Sequence, residues 1–171
     1  MVKSRVFNCF NFKGQKQECD FSNLEELECC TLNEFEISDE IIKELNKMKK
    51  IKMLVFNHCT FNNSQKIKIE IEKLVITYSK NFKIDYIENV NKLNNLIFTC
   101  LGRVDISEFS RMKNLEKLSI YECSIINFSY IKNLENIKEL NLDGSNIDNE
   151  EIINSLKDTV NLRYNKNYHV C

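Results

Sequence analysis

The chain has 171 residues, 43% of them apolar and 29% charged, a length that suits one compact domain or a short repeat array and a balance that excludes a disordered chain. A formal net charge of −1 with only four arginines (Arg5, Arg103, Arg111, Arg163) argues against direct nucleic-acid binding by a basic domain. No stretch approaches the roughly 18 apolar residues that a membrane-spanning helix needs, so no membrane association is expected.

Proline, tryptophan and alanine are absent, while Asn, Lys and Ile are abundant. An AT-rich coding sequence favours those residues, so an Asn run or a Lys cluster carries little weight by itself. Met1 to Phe12 holds no uninterrupted apolar run of signal-peptide length, which predicts an intracellular, cytoplasmic protein.

In chain order, Val6 to Phe12, Lys13-Gly14-Gln15-Lys16 and Cys19 to Phe21 read as a β-hairpin or a degenerate repeat. Residues 1–23 are therefore expected to cap the N-terminal end. From Glu18 to Glu40 there are nine acids and no Lys or Arg, and from Lys43 to Lys83 ten Lys against three acids. The plain reading of each run is a solvated face, and the functional one is a surface that steers a charged partner. Ser38 to Lys50 predicts an α-helix, with Ser38 as cap, acids in the first turn, Lys in the last, and Ile41, Leu45 and Met48 on one face. A second helix is expected over Asn149 to Asp158, with Ile152, Ile153 and Leu156 facing inward.

Across these elements runs an internal repeat. Leu27, Leu54, Leu74, Leu96, Leu118, Leu140 and Leu162 stand at separations of 27, 20, 22, 22, 22 and 22 residues. An apolar residue recurs two positions after each leucine, so both side chains point to one side of a strand and must face a core. Beyond the strand, Ile125, Phe128, Ile131 and Leu134, and likewise Ile106, Phe109 and Met112, recur every third position, as short 3₁₀ turns require. Five residues after the leucine, Cys59, Cys123 and Asn167 can satisfy backbone groups where the chain turns, and Ser79 and Ser145 can replace them. Leu32 and Leu101 depart from this column. Cys59 and Cys123 share a column yet lie three repeats apart, about 15 Å at strand spacing, and are expected to be free thiols.

These columns resemble those of leucine-rich repeat (LRR) proteins, of the subclass with short 22-residue repeats, over roughly residues 24 to 167. The resemblance implies an α/β fold, a right-handed solenoid with a curved parallel sheet on the concave side and mostly 3₁₀ turns or short helices on the convex side. About seven units would fill 24–171, with a convex helix near 38–50.

Little in the chain promises catalysis. His58 and Cys59 are adjacent, but Cys59 falls in the column that points into the turn, which argues against a nucleophile and base pair. Gly14, Gly102 and Gly144 are isolated and form no phosphate loop, and no Cys-x-x-Cys pair supports a metal centre. No cofactor, no metal and no enzymatic activity are therefore expected. Strand residues facing away from the core are read as Glu28, Val55, Val75, Ile97, Ser119, Asn141 and Arg163 in one column. The next column reads Cys30, Asn57, Thr77, Thr99, Tyr121, Asp143 and Asn165, and a third adds His58, Tyr78 and Cys100.

Side-by-side β-branched residues have a plain explanation in strand preference, and a functional one in an apolar, partly aromatic patch with a polar rim. The candidate partner-binding residues are Val55, His58, Val75, Tyr78, Ile97 and Tyr121. The expected function is a non-enzymatic protein–protein interaction module that binds a protein partner through the concave sheet. The alternative is an accessory subunit carried on a larger intracellular assembly such as a ribonucleoprotein or ribosome. Residues 165–171 are too few for a capping helix, so the end formed by Leu162, Tyr164, Tyr168 and Val170 is expected to be covered by another molecule.

Overall fold

The computed structural model describes residues 6–10, 26–48 and 50–166, with side chains at Asn8 and from Glu28 onward. The expected cap over 1–23 falls outside these residues apart from one strand, as do the side chain of Leu27 and residues Asn167, Tyr168 and Val170. The fold is α/β, with mostly parallel strands and few helices, and the chain forms two compact units, Met1–Val90 and Asn91–Cys171. Among the described residues no helix is long and apolar enough to cross a membrane.

The first unit contains strands β1 (Val6–Phe10), β2 (Glu26–Asn33) and β3 (Glu36–Ile37), helix α1 (Asp39–Leu45), and strands β4 (Lys50–Asn57), β5 (Thr60–Phe61) and β6 (Glu70–Thr77). β1, β2, β4 and β6 lie side by side in that order, all parallel, while β3 and β5 pair separately. The second unit contains β7 (Asn95–Thr99), β8 (Arg103–Asp105), β9 (Lys117–Tyr121), β10 (Ser124–Ile126), β11 (Glu139–Asn141), β12 (Asn146–Ile147), helix α2 (Glu151–Leu156) and β13 (Asn161–Arg163). Here β7, β9, β11 and β13 form one parallel set, and β8, β10 and β12 another.

The repeated leucines are the partners that set this register. Leu54 pairs with Leu74 in the first unit; in the second, Leu96 pairs with Leu118, Leu118 with Leu140, and Leu140 with Leu162. Leu54, Leu74, Leu96, Leu118 and Leu140 are buried, as are Phe56, Ile76, Phe98, Ile120 and Leu142 two residues on. Leu162 is only half-buried, contrary to expectation. Among the described residues β13 pairs with β11 alone, so Leu162 has a stacked neighbour on one side only.

The first repeat also departs from the expected frame. Leu27 pairs with Ile51, and Cys30 pairs with Leu54, so the residue in the leucine column is Cys30. Cys30 and Leu32 are fully buried, while Thr31 and Asn33 pair with Val55 and Asn57. Thr31 and Asn33 therefore take the outward places expected of Glu28 and Cys30. A cysteine standing where every other repeat has leucine gave no signal, and the leucine three residues earlier drew the frame to itself.

Between the main strands the chain returns through short turns. The 3₁₀ segments Ile106–Arg111 and Phe128–Asn133 bury Ile106, Phe109, Phe128 and Ile131, and Met112 and Leu134 just beyond them are buried too, as the period of three predicts. Phe109 packs edge-on against Phe98 with ring centroids 5.9 Å apart. α2 buries Ile152, Ile153 and Leu156 as expected. α1 buries Ile42 and Leu45, with Met48 buried after it and Ile41 only half-buried, so the helix turns its Ile42–Leu45 side inward. Its Ser38 makes no side-chain cap and donates instead to Glu40 at 2.6 Å.

Asparagine amides fasten neighbouring returns. Asn46 donates to the Lys66 carbonyl (2.9 Å) and accepts from the Lys68 N–H (2.7 Å). Asn114 and Asn136, 22 residues apart, donate to the carbonyls of Asn91 and Lys113 (both 2.7 Å). Part of the asparagine content thus answers to backbone groups and not to codon usage alone. The Asp39 carboxylate does similar work, accepting from the Ser64 and Gln65 N–H groups (2.8 Å each) and the Ser64 hydroxyl (2.7 Å). Those bonds, the Gln65 N–H foremost, hold its pKa below the ordinary value of 3.8.

Replacing Leu118 by Ala is expected to cost about 2–5 kcal/mol in urea unfolding, because both of its neighbours are leucines in register, whereas Leu162→Ala should cost clearly less. Equal losses would contradict the one-sided stacking of Leu162. A carboxylate whose folded pKa is depressed contributes stability that is present above its unfolded pKa and lost as pH falls through the folded one. Stability measured from pH 6 downward should therefore fall below about pH 4, and less steeply in Asp39→Asn than in the parent chain.

Candidate functional site

Alternation along the strands turns every second residue away from the buried leucine side. In the first unit the outward rows are Cys29, Met53 and Lys73; then Thr31, Val55 and Val75; then Asn33, Asn57 and Thr77. Val55 and Val75 are direct partners across β4 and β6, each half-buried. The row beside them is tied by side chains: Thr77 Oγ1 donates to Asn57 Oδ1 (2.7 Å), and Asn57 Nδ2 donates to Asn33 Oδ1 (3.0 Å). The result is an apolar strip bordered by a hydrogen-bonded polar strip.

In the turns that follow β2, β4, β6, β7, β9 and β11 one residue is held with positive φ. In the first unit these are Glu34 (62°), His58 (52°) and Tyr78 (49°); in the second they are Cys100 (52°), Glu122 (54°) and Gly144 (75°). Only the glycine adopts this region freely, and each of the others costs about 1–3 kcal/mol of strain. The conformation persists because it lets the turning residue keep its sheet bond. Glu34 N–H donates to the Asn57 carbonyl (2.9 Å), His58 N–H to that of Thr77 (3.0 Å), Cys100 N–H to that of Tyr121 (3.1 Å) and Gly144 N–H to that of Asn165 (2.9 Å).

That turn places His58 and Tyr78 on the surface at the end of the Val55–Val75 strip. Their rings stack face to face, with centroids 4.8 Å apart and planes 7° from parallel, and Tyr78 remains 47% exposed. Stacking of this kind is worth roughly 0.5–1.5 kcal/mol and fixes both rings in one orientation.

Immediately after the turn, the side chain points inward and bonds the backbone. Cys59 Sγ donates to the Leu32 and Asn57 carbonyls (3.4 and 3.5 Å), and its N–H donates to Ser79 Oγ (3.0 Å), which in turn donates to the Thr77 carbonyl (2.9 Å). In the second unit Cys123 Sγ donates to the Tyr121 carbonyl (3.1 Å) and accepts from the Leu101 N–H (3.4 Å). The Cys123 N–H meets Ser145 Oγ (3.2 Å), and Ser145 donates to the Ile120 carbonyl (2.9 Å). Cys59, Cys123, Ser79 and Ser145 therefore act as the sequence predicts, and Cys59 and Cys123 are free thiols. Burial pushes the Cys59 thiol up to about 11, so it stays protonated near neutrality, with its sulfur turned into the core and His58 turned out to solvent. The adjacent pair does not form a nucleophile and base.

Ile97 and Tyr121 lie in the second unit, both half-buried, and the outward surface around them is polar. One row there is Asn95, Lys117, Glu139 and Asn161; the other is Ile97, Ser119, Asn141 and Arg163. Together with Tyr121 they line an open groove of about 340 Å³. Lys117 and Glu139 face each other across neighbouring strands at 2.7 Å. The structure thus brings Val55, Val75, His58 and Tyr78 together as one surface, while Ile97 and Tyr121 belong to the groove of the second unit. The sequence named Arg163 and Asn141 only as column members, and the groove they share follows from four strands in register. Positive φ after the strand had one sequence signal, Gly144. Among the described residues no cluster of three His, Cys, Asp or Glu side chains is placed to hold a metal ion.

Comparison with family models, with curated proteins and with solved structures finds no match to this chain.

Ser145→Ala would leave the buried Cys123 N–H without its acceptor and should cost about 1–3 kcal/mol in denaturant unfolding. A cost below about 0.5 kcal/mol would show that the turn does not depend on this bond.

Proposed function

We propose that this chain is a leucine-rich-repeat solenoid that serves as a non-enzymatic protein-interaction module, its partner resting on the concave face of the parallel sheet. In-register leucines, 3₁₀ returns of period three and the inward Cys or Ser after β4, β6, β9 and β11 support the repeat assignment. The observation that carries the function is the first unit's surface: paired Val55 and Val75, closed at one end by the exposed His58–Tyr78 stack and bordered by the Asn33–Asn57–Thr77 row. Aromatic and apolar groups held rigid and rimmed by satisfied polar groups have little ordering entropy left to lose on association. Ile97 and Tyr121 extend the candidate set into the second unit.

The test is Val75→Glu. A carboxylate on this half-open position is solvated in the free protein and is desolvated without a partner when an apolar surface covers it. The variant should keep the parent circular dichroism and unfolding midpoint, yet lose a stoichiometric partner recovered by affinity purification from native cells, with affinity reduced by at least about 100-fold, or about 2.7 kcal/mol. Binding at unchanged affinity would remove the strip from the interface.

A further inference from the structure

We infer that the groove of the second unit binds an extended segment of a partner protein that carries a carboxylate side chain, seated on Arg163. The inference rests on the interaction-module reading but uses a different surface from the Val55–Val75 strip.

Charge comes first. Of the three charged side chains lining the groove, Lys117 and Glu139 neutralise each other at 2.7 Å. Arg163 is exposed, and among the described residues no carboxylate pairs with it. Its guanidinium, a planar fork of donors at one end of the row Ile97–Ser119–Asn141–Arg163, suits a bidentate carboxylate. The rest of the lining is mostly amide and hydroxyl: Asn95, Asn141, Asn161 and Ser119. An amide offers a donor and an acceptor together, which is what a peptide group requires. Asn141 Oδ1 already accepts the Asp143 N–H (3.1 Å), leaving its NH₂ for an incoming carbonyl.

Length sets the spacing of the motif. From Ile97 to Arg163 the row crosses three strand intervals, about 14 Å at the usual 4.7–4.9 Å, which about four extended residues span. The occupant is therefore a segment lying across the strands, with an apolar residue against Ile97 and Asp or Glu about four residues away on Arg163.

A random linear peptide library displayed against the full chain tests this. The expected result is enrichment of peptides with an acidic residue about four positions from an apolar one. The best of them, synthesised with a fluorescent label, should bind at least tenfold more weakly to Arg163→Gln, more weakly at higher salt, and unchanged to Val75→Glu. Arg163 is exposed, so the variant should keep the parent circular dichroism spectrum. Enrichment without acidic preference, equal binding by Arg163→Gln, or no enrichment would each overturn the inference. Binding of a labelled single-stranded RNA oligomer that Arg163→Gln abolishes, without peptide selection, would assign the groove to phosphate and overturn it as well. Failure here leaves partner loss in Val75→Glu standing as support for the first unit's surface. Selection of acidic peptides with partner binding retained in Val75→Glu removes that surface and leaves the groove.

Discussion

A strand that buries a leucine and a second apolar residue on one side needs another layer to bury them against, and a segment of about 22 residues has none of its own. In this chain the missing layer comes from the stacking of successive segments, so Leu118 has Leu96 on one side and Leu140 on the other. Every other feature must preserve that register. Lateral pairing permits no slip, since a shift of one residue would turn each leucine outward. Where a neighbour is lacking among the described residues, as beside Leu162, burial falls accordingly.

The same constraint explains the strain after the strands. Each chain must leave the sheet sharply while its next N–H still meets the neighbouring carbonyl, and a left-handed residue does both. Inward-turned Cys59, Ser79, Cys123 and Ser145 then satisfy the backbone groups that the turn removes from the sheet. The exposed stack of His58 on Tyr78 is a by-product of this economy of turns. Two bulky side chains are carried to the surface by equal backbone geometry, and the stacking distance follows from strand spacing. The two units then differ in what the outward positions hold: valines and an aromatic pair in the first, amides and charges in the second.

Strand alternation made much of this legible in the chain alone. The 22-residue interval is a count, and the apolar residue two positions after each leucine follows from the period of two, so the strands and their buried side could be read directly. The inward column of Cys and Ser was legible for the same reason. The first repeat was not: Cys30 occupies the leucine place, and a small buried thiol is indistinguishable in sequence from a cysteine at a turn. Asparagine side chains were hidden as well. Asn46, Asn114 and Asn136 act on carbonyls some 20 residues distant in sequence, and an asparagine-rich composition masks such roles.

The sequence by itself determined which side of each strand after the first repeat is buried and, through alternation, that Val55, Val75, Ile97 and Tyr121 could face outward, because those properties depend on local period alone. Tertiary structure decided which outward residues meet. Val55 lies against Val75, His58 stacks on Tyr78, and Asn141 shares a groove with Arg163 because strand pairing sets the offset between segments, 20 residues between Val55 and Val75 and 22 between Asn141 and Arg163. Offsets are properties of hydrogen-bonded pairs of strands, and a single strand carries no record of its partner. That is the physical reason a column of leucines could be read from the chain while the surfaces beside it could not.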